Sequence, residues 1–397
     1  MKFLVTNKLL LVISTVIKQT KIKKDFTFHY LYIVNKIRHA QILNTDNTSE
    51  TYIRLCYDFL ETTISKEQTP IIIRTLIEQN IIECDGVAII GSKAYGYRIT
   101  REFMTQKWKY IVVTDTELVG KIMRITDMKL NLAFESSDGY RTAAYWSNKI
   151  TINKRNALSF VNNPKNNLSE HQIQQAKSSI LALTKSVFFL TYGKTARLYT
   201  NLNCIKRGLR QFITIDGQEL HGVDITSSQP LFLGILLKNI SNIEAVEYEK
   251  YMNVVCNGTL YEYLAKAASL DIDLKNHTVR SQFKKMIFAG CLYNKPQLKL
   301  SEWELIFQSS FPTILAECRR IKEKDHKVLA QQLQRLEASF IFECVRIGAE
   351  ELGDNTPITT IHDEIVSTKK SIHIIEKIVR SEFSKMGIEP KIKTTKL

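Results

Sequence analysis

Two apolar segments rich in β-branched residues do most to restrict how this chain can fold. Each contains an acidic residue where a predicted strand ends. The first, LHGVDITSSQPLFLGILLKNI, predicts a buried strand ending at Asp224, then a turn and a helix that Ser228 caps, with Pro230 in its first turn. The second, TPITTIHDEIVSTK, predicts a tight hairpin with Asp363 and Glu364 at its apex. An unpaired carboxylate at the end of a buried strand is costly without a metal or a cation nearby. We therefore expect an α+β fold in which acidic residues at one edge of a sheet need a metal ion or a cation as partner.

The two aspartates suggest a reaction if the hairpin points Asp363 toward Asp224. Phosphoryl transfer by two metals needs carboxylates that bridge ions about 3.5–4 Å apart. Each acid also has an ordinary interpretation, because a single Asp at a strand end is more often a cap or turn residue. Adjacent acids at a hairpin apex can likewise be merely solvated.

A third segment, NHTVRSQFKKMIFAGCLYNK, predicts a helix with a cationic and aromatic face. Arg280, Lys284 and Phe288 recur at i, i+4 and i+8 and therefore share that face. Two cations and an aromatic ring suit a triphosphate with its base stacked alongside. The alternative is an amphipathic helix whose basic residues lie in water, as we expect for Lys285 on another face.

The charge of the whole chain indicates a polyanionic partner. Its 397 residues carry a formal net charge of +15, which attracts phosphate polymers. The basic segment YGKTARLYTNLNCIKRGLRQFI, with its interleaved tyrosines and threonines, is suited to a primer-template surface. A membrane surface is a weaker alternative, because Lys8 interrupts the apolar N-terminus well short of the roughly 20 residues that a span needs. That stretch predicts a buried strand or helix, and seven scattered cysteines are typical of a reduced, cytoplasmic protein.

Residues 50–103 predict a small module that resembles a winged helix. Helical apolar spacing covers 52–63, and Thr69 with Pro70 predicts the start of a second helix, IIIRTLIEQN. A strand (IIEC) and a hairpin (VAIIGSKAYGYRIT) follow. An ordinary α+β element is the alternative. The hairpin carries a basic and aromatic set suited to phosphate contact and stacking, namely Lys93, Tyr95, Tyr97 and Arg98.

The order of these segments resembles the polymerase domain of family A DNA polymerases over about residues 190–370. KTARLYT resembles the segment whose arginine, here Arg197, reaches the primer terminus in the minor groove. VDITSSQ resembles motif A, which implies that Asp224 and the carbonyl of Ile225 bind metal. Motif B is matched by Arg280, Lys284 and Phe288.

The remaining matches lie toward the C-terminus. TIHDEIV resembles motif C, with His362 near the primer end, Asp363 on the metals and Glu364 as an accessory acid. LAQQLQRLEASFI resembles the helix whose glutamine, here Gln334, touches the template side. Each motif is loose, but their shared order is fairly specific.

Three departures from the family pattern stand out. Gln229 occupies the position of a glutamate that helps to exclude ribose. The motif B tyrosine is expected at Leu292, whereas the chain has Tyr293, which implies an extra residue or an altered helix end. No proofreading exonuclease resembling the family's can be placed upstream.

The resemblance implies a right-hand polymerase palm with helical fingers and thumb, preceded by the winged-helix-like module. The domains expected are an N-terminal segment (1–49), the module (50–103), a thumb-like or connecting region (104–189), and palm and fingers (190–397). The implied activity is that of a monomeric DNA polymerase using Mg²⁺, nucleoside triphosphates and a primer-template, from a phage or other mobile element. Arg280, Lys284, Phe288, Tyr293 and Gln229 would bind the nucleotide. A single-subunit RNA polymerase or primase on the same palm remains open, as does a non-catalytic DNA-binding replication protein.

Overall fold

The fold is mixed α and β, and the chain forms two compact units. The computed structural model describes residues 1–19, 25–43, 51–89, 93–238, 240 and 242–397. The first unit comprises Met1–Leu132, Ile150–Thr191 and Thr200–Thr214, and the second comprises Ala133–Lys149, Tyr192–Tyr199 and Ile215–Leu397. Each unit is therefore built from three separate stretches of the chain. Among the described residues, no helix is both long and apolar enough to cross a bilayer.

The helices account for most of the chain. In chain order they are α1 (Asn7–Gln19), α2 (Thr27–Leu43), α3 (Tyr57–Thr63), α4 (Gln68–Glu78), α5 (Arg101–Met104), α6 (Thr116–Ser136), α7 (Asp138–Ser147), α8 (Lys154–Asn162), α9 (Glu170–Thr184), α10 (Asn201–Cys204), α11 (Arg207–Arg210), α12 (Ser228–Leu237), α13 (Ala245–Cys256), α14 (Leu260–Ala267), α15 (His277–Ile287), α16 (Glu302–Gln308), α17 (Pro312–Ile321), α18 (Lys327–Leu352) and α19 (Ile372–Lys385). A 3₁₀ turn (Pro164–Asn166) follows α8, and a π-helix (Phe288–Tyr293) continues α15.

The strands are short. In chain order they are β1 (Lys2–Val5), β2 (Ile53–Arg54), β3 (Ile82–Cys84), β4 (Gly96–Ile99), β5 (Lys109–Val112), β6 (Ile150–Ile152), β7 (Leu190–Tyr192), β8 (Leu198–Thr200), β9 (Ile213–Ile215), β10 (Gln218–Ile225), β11 (Ile358–Ile361), β12 (Glu364–Thr368) and β13 (Ile392–Lys396).

The apolar N-terminus forms both a strand and a helix in the core of the first unit. β1 pairs with β5 in antiparallel register, with Phe3 opposite Ile111. Phe3, Val5, Leu9 and Ile13 are almost completely buried in one cluster. This burial accounts for the apolar character of the stretch.

The module expected at 50–103 contains a three-stranded sheet with the order β2, β4, β3, against which α2 and α4 pack. The helix expected over 52–63 begins only at Tyr57, because Ile53 and Arg54 pair with β4 instead. The next helix begins at Gln68, and Thr69 lies inside it with its hydroxyl donating to the carbonyl of Ser65 at 2.7 Å. The tip of the expected hairpin, residues 90–92, lies outside the described ranges.

The second unit contains an antiparallel sheet in which β10 lies between β12 and β13, with β11 beyond β12. β10 pairs with β12 from Leu220 opposite Thr368 to Asp224 opposite Glu364. The long helix α18 packs against α7, α12 and α19. Gly139 in α7 approaches the backbone carbonyl of Phe342 so closely that no side chain would fit there. This framework holds the ends of β10 and β12 in place.

Candidate active site

The pairing of β10 with β12 brings Asp224 and Asp363 to neighbouring positions. Asp224 is paired with Glu364, and Asp363 immediately precedes Glu364 in the two-residue turn that joins β11 to β12. The other turn residue, His362, has a left-handed backbone (φ 58°), as tight hairpin turns require. Thus two residues far apart in sequence meet at one end of the sheet.

These two aspartates lie in a cavity of about 520 Å³ within the second unit. Most of the residues singled out from the sequence line the same cavity. They are Arg197, Asp224, Ile225, Gln229, Arg280, Lys284, Phe288, Tyr293, His362 and Asp363. The cavity therefore combines carboxylates, cations and aromatic rings from segments that are widely separated in the chain.

The carboxyl of Asp363 is in an environment that disfavours its negative charge. Burial, followed by the nearby charges of Glu337 and Asp224, raises the pKa of Asp363 to about 7. A divalent cation between the acids would relieve this repulsion. Among the described residues, no group of three or more His, Cys, Asp and Glu side chains forms a metal site. Mg²⁺ nevertheless fits the site, because it is usually held by one or two carboxylates, waters and substrate phosphates.

The strand and helix around Asp224 differ slightly from the sequence expectation. β10 runs one residue beyond Asp224, to Ile225. Ser227, in a left-handed conformation with φ 59°, takes the capping position of α12, so Ser228 is the first helical residue and not the cap. The hydroxyl of Ser228 donates instead to Glu337 Oε1 at 2.5 Å. Ser228, expected to cap the helix, thus binds Glu337 at the cavity instead.

Helix α15 carries the cationic face. The side chain of Asn276 caps it by accepting from the backbone N–H of Thr278 at 2.9 Å. Arg280 is paired with Glu262, with 2.8 Å between Nε and Oε1. The ammonium of Lys284 lies 5.4 Å from the ring centroid of Phe288. A partly exposed ion pair of this kind is worth little, so phosphate could compete with Glu262 for the guanidinium.

A π-helix follows α15, where the sequence analysis expected an extra residue or an altered helix end. Its wider turn places Asn294 N 2.8 Å from the carbonyl oxygen of Ala289, five residues earlier. Phe288 and Tyr293 stack with centroids 5.9 Å apart and an interplanar angle of 16°, while Leu292 is buried. The buried ammonium of Lys322 donates to the carbonyl of Cys291 at 2.6 Å. Phe288 and Tyr293 therefore lie on one side of the helix although they are five positions apart.

Glu337, which the sequence analysis did not single out, is central to the site. Its side chain is 1% exposed and forms an ion pair with Arg197. Besides Ser228, it accepts from Gln229 Nε2 at 2.7 Å. Although burial alone would lower the pKa of Arg197, the charge of Glu337 raises it. One buried carboxylate thus fixes three side chains around the cavity.

The amide nitrogen of Gln229 has a hydrogen-bond partner, whereas its amide oxygen has none among the described residues. A carboxylate only accepts hydrogen bonds, so the amide nitrogen of Gln229 must face Glu337. The remaining Oε1 is buried and has no hydrogen-bond partner in the described protein. A ligand hydroxyl would satisfy it.

Four further candidate site residues do not line the cavity, namely Gln334, Glu364, Lys93 and Arg98. Gln334 bonds to Tyr293 through its side chain. The carboxylate of Glu364 lies over Gly222 of β10, where any side chain would overlap it. In the first unit, Arg98 pairs with Glu83 at 3.1 Å and Lys93 forms a backbone bridge with Ile89.

Lys393 lines the cavity and was also missed. It is directly opposite Asp224 in the pairing of β10 with β13, which places the two side chains on one face. Its alternating segment, KIKTTK, indicates only an edge strand. Nothing local marks it as part of a site.

Comparison with known proteins finds likenesses in structure and none in sequence. No family model matches the chain, and no curated protein matches it. A solved structure of the POL domain of Pol1 from M. smegmatis, in complex with DNA primer-template and dNTP, is similar over 70% of this chain and 72% of that chain. The sequence identity is 14% and the TM-score is 0.45.

Proposed function

We propose that this chain is a template-directed nucleotidyltransferase, and specifically a DNA polymerase of the family A type without a proofreading exonuclease. The observation that carries the proposal is the single 520 Å³ cavity that holds both aspartates together with Arg280, Lys284 and Phe288. A nucleoside triphosphate needs acids for its metal ions, cations for its phosphates and an aromatic surface for its base.

Asp224, Asp363 and the carbonyl of Ile225 would hold Mg²⁺. When bound, the ions would lower the pKa of the attacking 3′-hydroxyl and neutralise charge on the triphosphate. Arg280 and Lys284 would orient the phosphates, and the stacked rings of Phe288 and Tyr293 would support the base.

The primer-template would lie against the rest of the cavity wall. Arg197 and His362 line the cavity, and Gln334 is bonded to Tyr293 next to it. We assign the primer terminus to Arg197 and His362, and the template side to Gln334. Lys93 and Arg98 of the module would contact phosphates outside the cavity.

One observation favours the RNA-synthesising alternative. Oε1 of Gln229 has no hydrogen-bond partner within the described ranges. It can accept a hydrogen bond from the 2′-hydroxyl of a ribose, which a deoxyribose lacks. A single-subunit RNA polymerase or primase therefore remains the second candidate.

Primer extension tests the proposal. The protein is incubated with Mg²⁺ and either dNTPs or rNTPs on DNA and RNA primer-templates. Asp224→Asn and Asp363→Asn should each abolish extension while leaving nucleic-acid binding largely intact, because neither removes a cation. Asp271→Asn, at an exposed position of the same unit, is the matched control and should remain active. Extension that survives both cavity substitutions would refute the assignment.

A further inference from the structure

A groove of about 400 Å³ in the first unit combines cations with an aromatic residue. It lies among α2, α8, α9 and the segment that joins α5 to β5. Its lining includes Arg38, Lys107, Trp108, Lys154 and Lys177, and no acidic residue is among the lining residues that the structure describes. Such a one-sided distribution of charge attracts an anion.

Arg38 shows that the groove is more than a solvated basic surface. The residue is only 4% exposed, and its Nε has no hydrogen-bond partner in the part of the chain that the structure describes. Nη1 lies 3.0 Å from the sulfur of Met104, and the guanidinium lies 5.2 Å from the centroid of the Trp108 ring. No carboxylate of the described chain pairs with it. Burial lowers the pKa of Arg38 to about 10, so it stays charged at neutral pH.

A buried charge without a counter-ion is costly, and an anionic ligand in the groove would offset that cost. The lysines add charge from separate elements, since Lys107 precedes β5 whereas Lys154 and Lys177 lie on α8 and α9. All three side chains are exposed and can reach successive negative groups. Trp108 and Met104 supply an apolar wall next to these charges.

We propose that this groove binds the phosphodiester backbone of a single nucleic-acid strand, with Arg38 on one phosphate and a base against the wall formed by Trp108. Charge and aromatic surface together are the usual basis of single-strand binding. The groove shares no lining residue with the cavity that contains Asp224, and its binding goes beyond the proposed activity.

A local probe can separate binding here from binding elsewhere. The chain has three tryptophans, and Trp146 and Trp303 belong to the second unit. In full-length protein labelled with 5-fluorotryptophan, Trp108→Phe identifies the Trp108 signal in ¹⁹F NMR. Without divalent metal or nucleotide, titration with a short oligothymidylate should shift that signal. Asp224→Asn protein should respond equally, so failure of the polymerase proposal would not affect this result.

The rim lysines provide the quantitative test. Lys154→Gln combined with Lys177→Gln should reduce the salt dependence of binding, seen at Trp108, by a log–log slope of about 1.4, at about 0.7 per contact on a single strand. If the variant and the wild type bind equally at about 1 M salt, this change in slope means that the variant binds roughly 25-fold more weakly at about 0.1 M salt. Lys66→Gln combined with Lys165→Gln removes the same charge from exposed positions outside the groove and should have little effect.

Arg38→Met supplies a second variant. It should abolish the response of Trp108 to oligothymidylate without lowering stability, because it removes a buried charge that lacks a counter-ion. Equal losses in the two lysine pairs would overturn the proposal. So would a Trp108 signal that responds to inorganic phosphate but not to oligothymidylate, since the groove would then be a free-anion pocket.

Discussion

Gln229→Met should shift nucleotide selection toward deoxyribonucleotides. In the wild type, Oε1 of Gln229 is buried and has no hydrogen-bond partner among the described residues, which costs about 1–3 kcal/mol. A ribose 2′-hydroxyl that donates to this oxygen would recover that free energy, whereas a deoxynucleotide would not. By this reasoning Gln229 favours ribonucleotides by roughly 5- to 150-fold in kcat/KM, converted at about 1.4 kcal/mol for each factor of ten. Methionine is similar in length but lacks the amide oxygen.

The assay is the ratio of kcat/KM for dNTP over rNTP in single-nucleotide primer extension. Gln229→Met should raise that ratio by the factor given above, mainly through weaker use of rNTP. Gln308→Met, at an exposed position of the same unit, is the control and should leave the ratio unchanged. A ratio that stays constant in Gln229→Met, or that falls, would refute the reasoning.

Gln229→Glu is a less informative substitution because of Glu337. The amide of Gln229 donates to Glu337 Oε1, and a second carboxylate in its place would set two like charges against each other. We expect this variant to lose stability, which would obscure any effect on sugar choice.

Three further outcomes follow from contacts described above. Glu337→Gln and Arg197→Met should each lower the free energy of unfolding by about 3–5 kcal/mol in urea denaturation. The double variant should lose clearly less than the sum of the two single losses. Additive losses would show that the ion pair is energetically unimportant. Burial, and to a lesser extent the nearby charges of Lys36 and Arg38, lowers the pKa of His39 to about 4. The unfolded state therefore binds more protons than the folded state between pH 4 and 6.5, and the stability of the protein falls as pH falls through this window. His39→Phe should remove up to about 1.4 kcal/mol per pH unit of that decline in urea titrations at several pH values, and an unchanged slope would contradict the assignment. Gly222→Ala should displace the carboxylate of Glu364 and cost about 1–3 kcal/mol by thermal denaturation, whereas a variant of wild-type stability would argue against the close contact.

The local parts of the site could be predicted from the sequence because each rests on a short pattern. Asp224 and Asp363 stand next to short runs rich in β-branched residues, and such runs predict strands. The helical spacing of Arg280, Lys284 and Phe288 likewise places them on one face. The structure brings all five to one cavity.

Glu337 and Lys393 could not be predicted in this way. Glu337 lies in a helix that contains several other charged residues, and the partners that make it special come from segments more than a hundred positions away. Lys393 acquires its position only through the pairing of β13 with β10. Tertiary contacts place both residues in the site, and such contacts leave no periodic pattern in the sequence. The helix expected over 52–63 failed for the same reason, since its first residues pair with β4.

The π-helix at Phe288–Tyr293 gives this part of the chain a tolerance to changes in length that the rest of α15 lacks. Elsewhere in an α-helix, removing one residue rotates everything that follows by about 100° and carries side chains off their face. Removal of one residue between Phe288 and Tyr293 would instead convert the wide turn into an ordinary one, with the two rings still on one side. The spacing between these aromatic residues can therefore vary by one position while their relationship in space is kept.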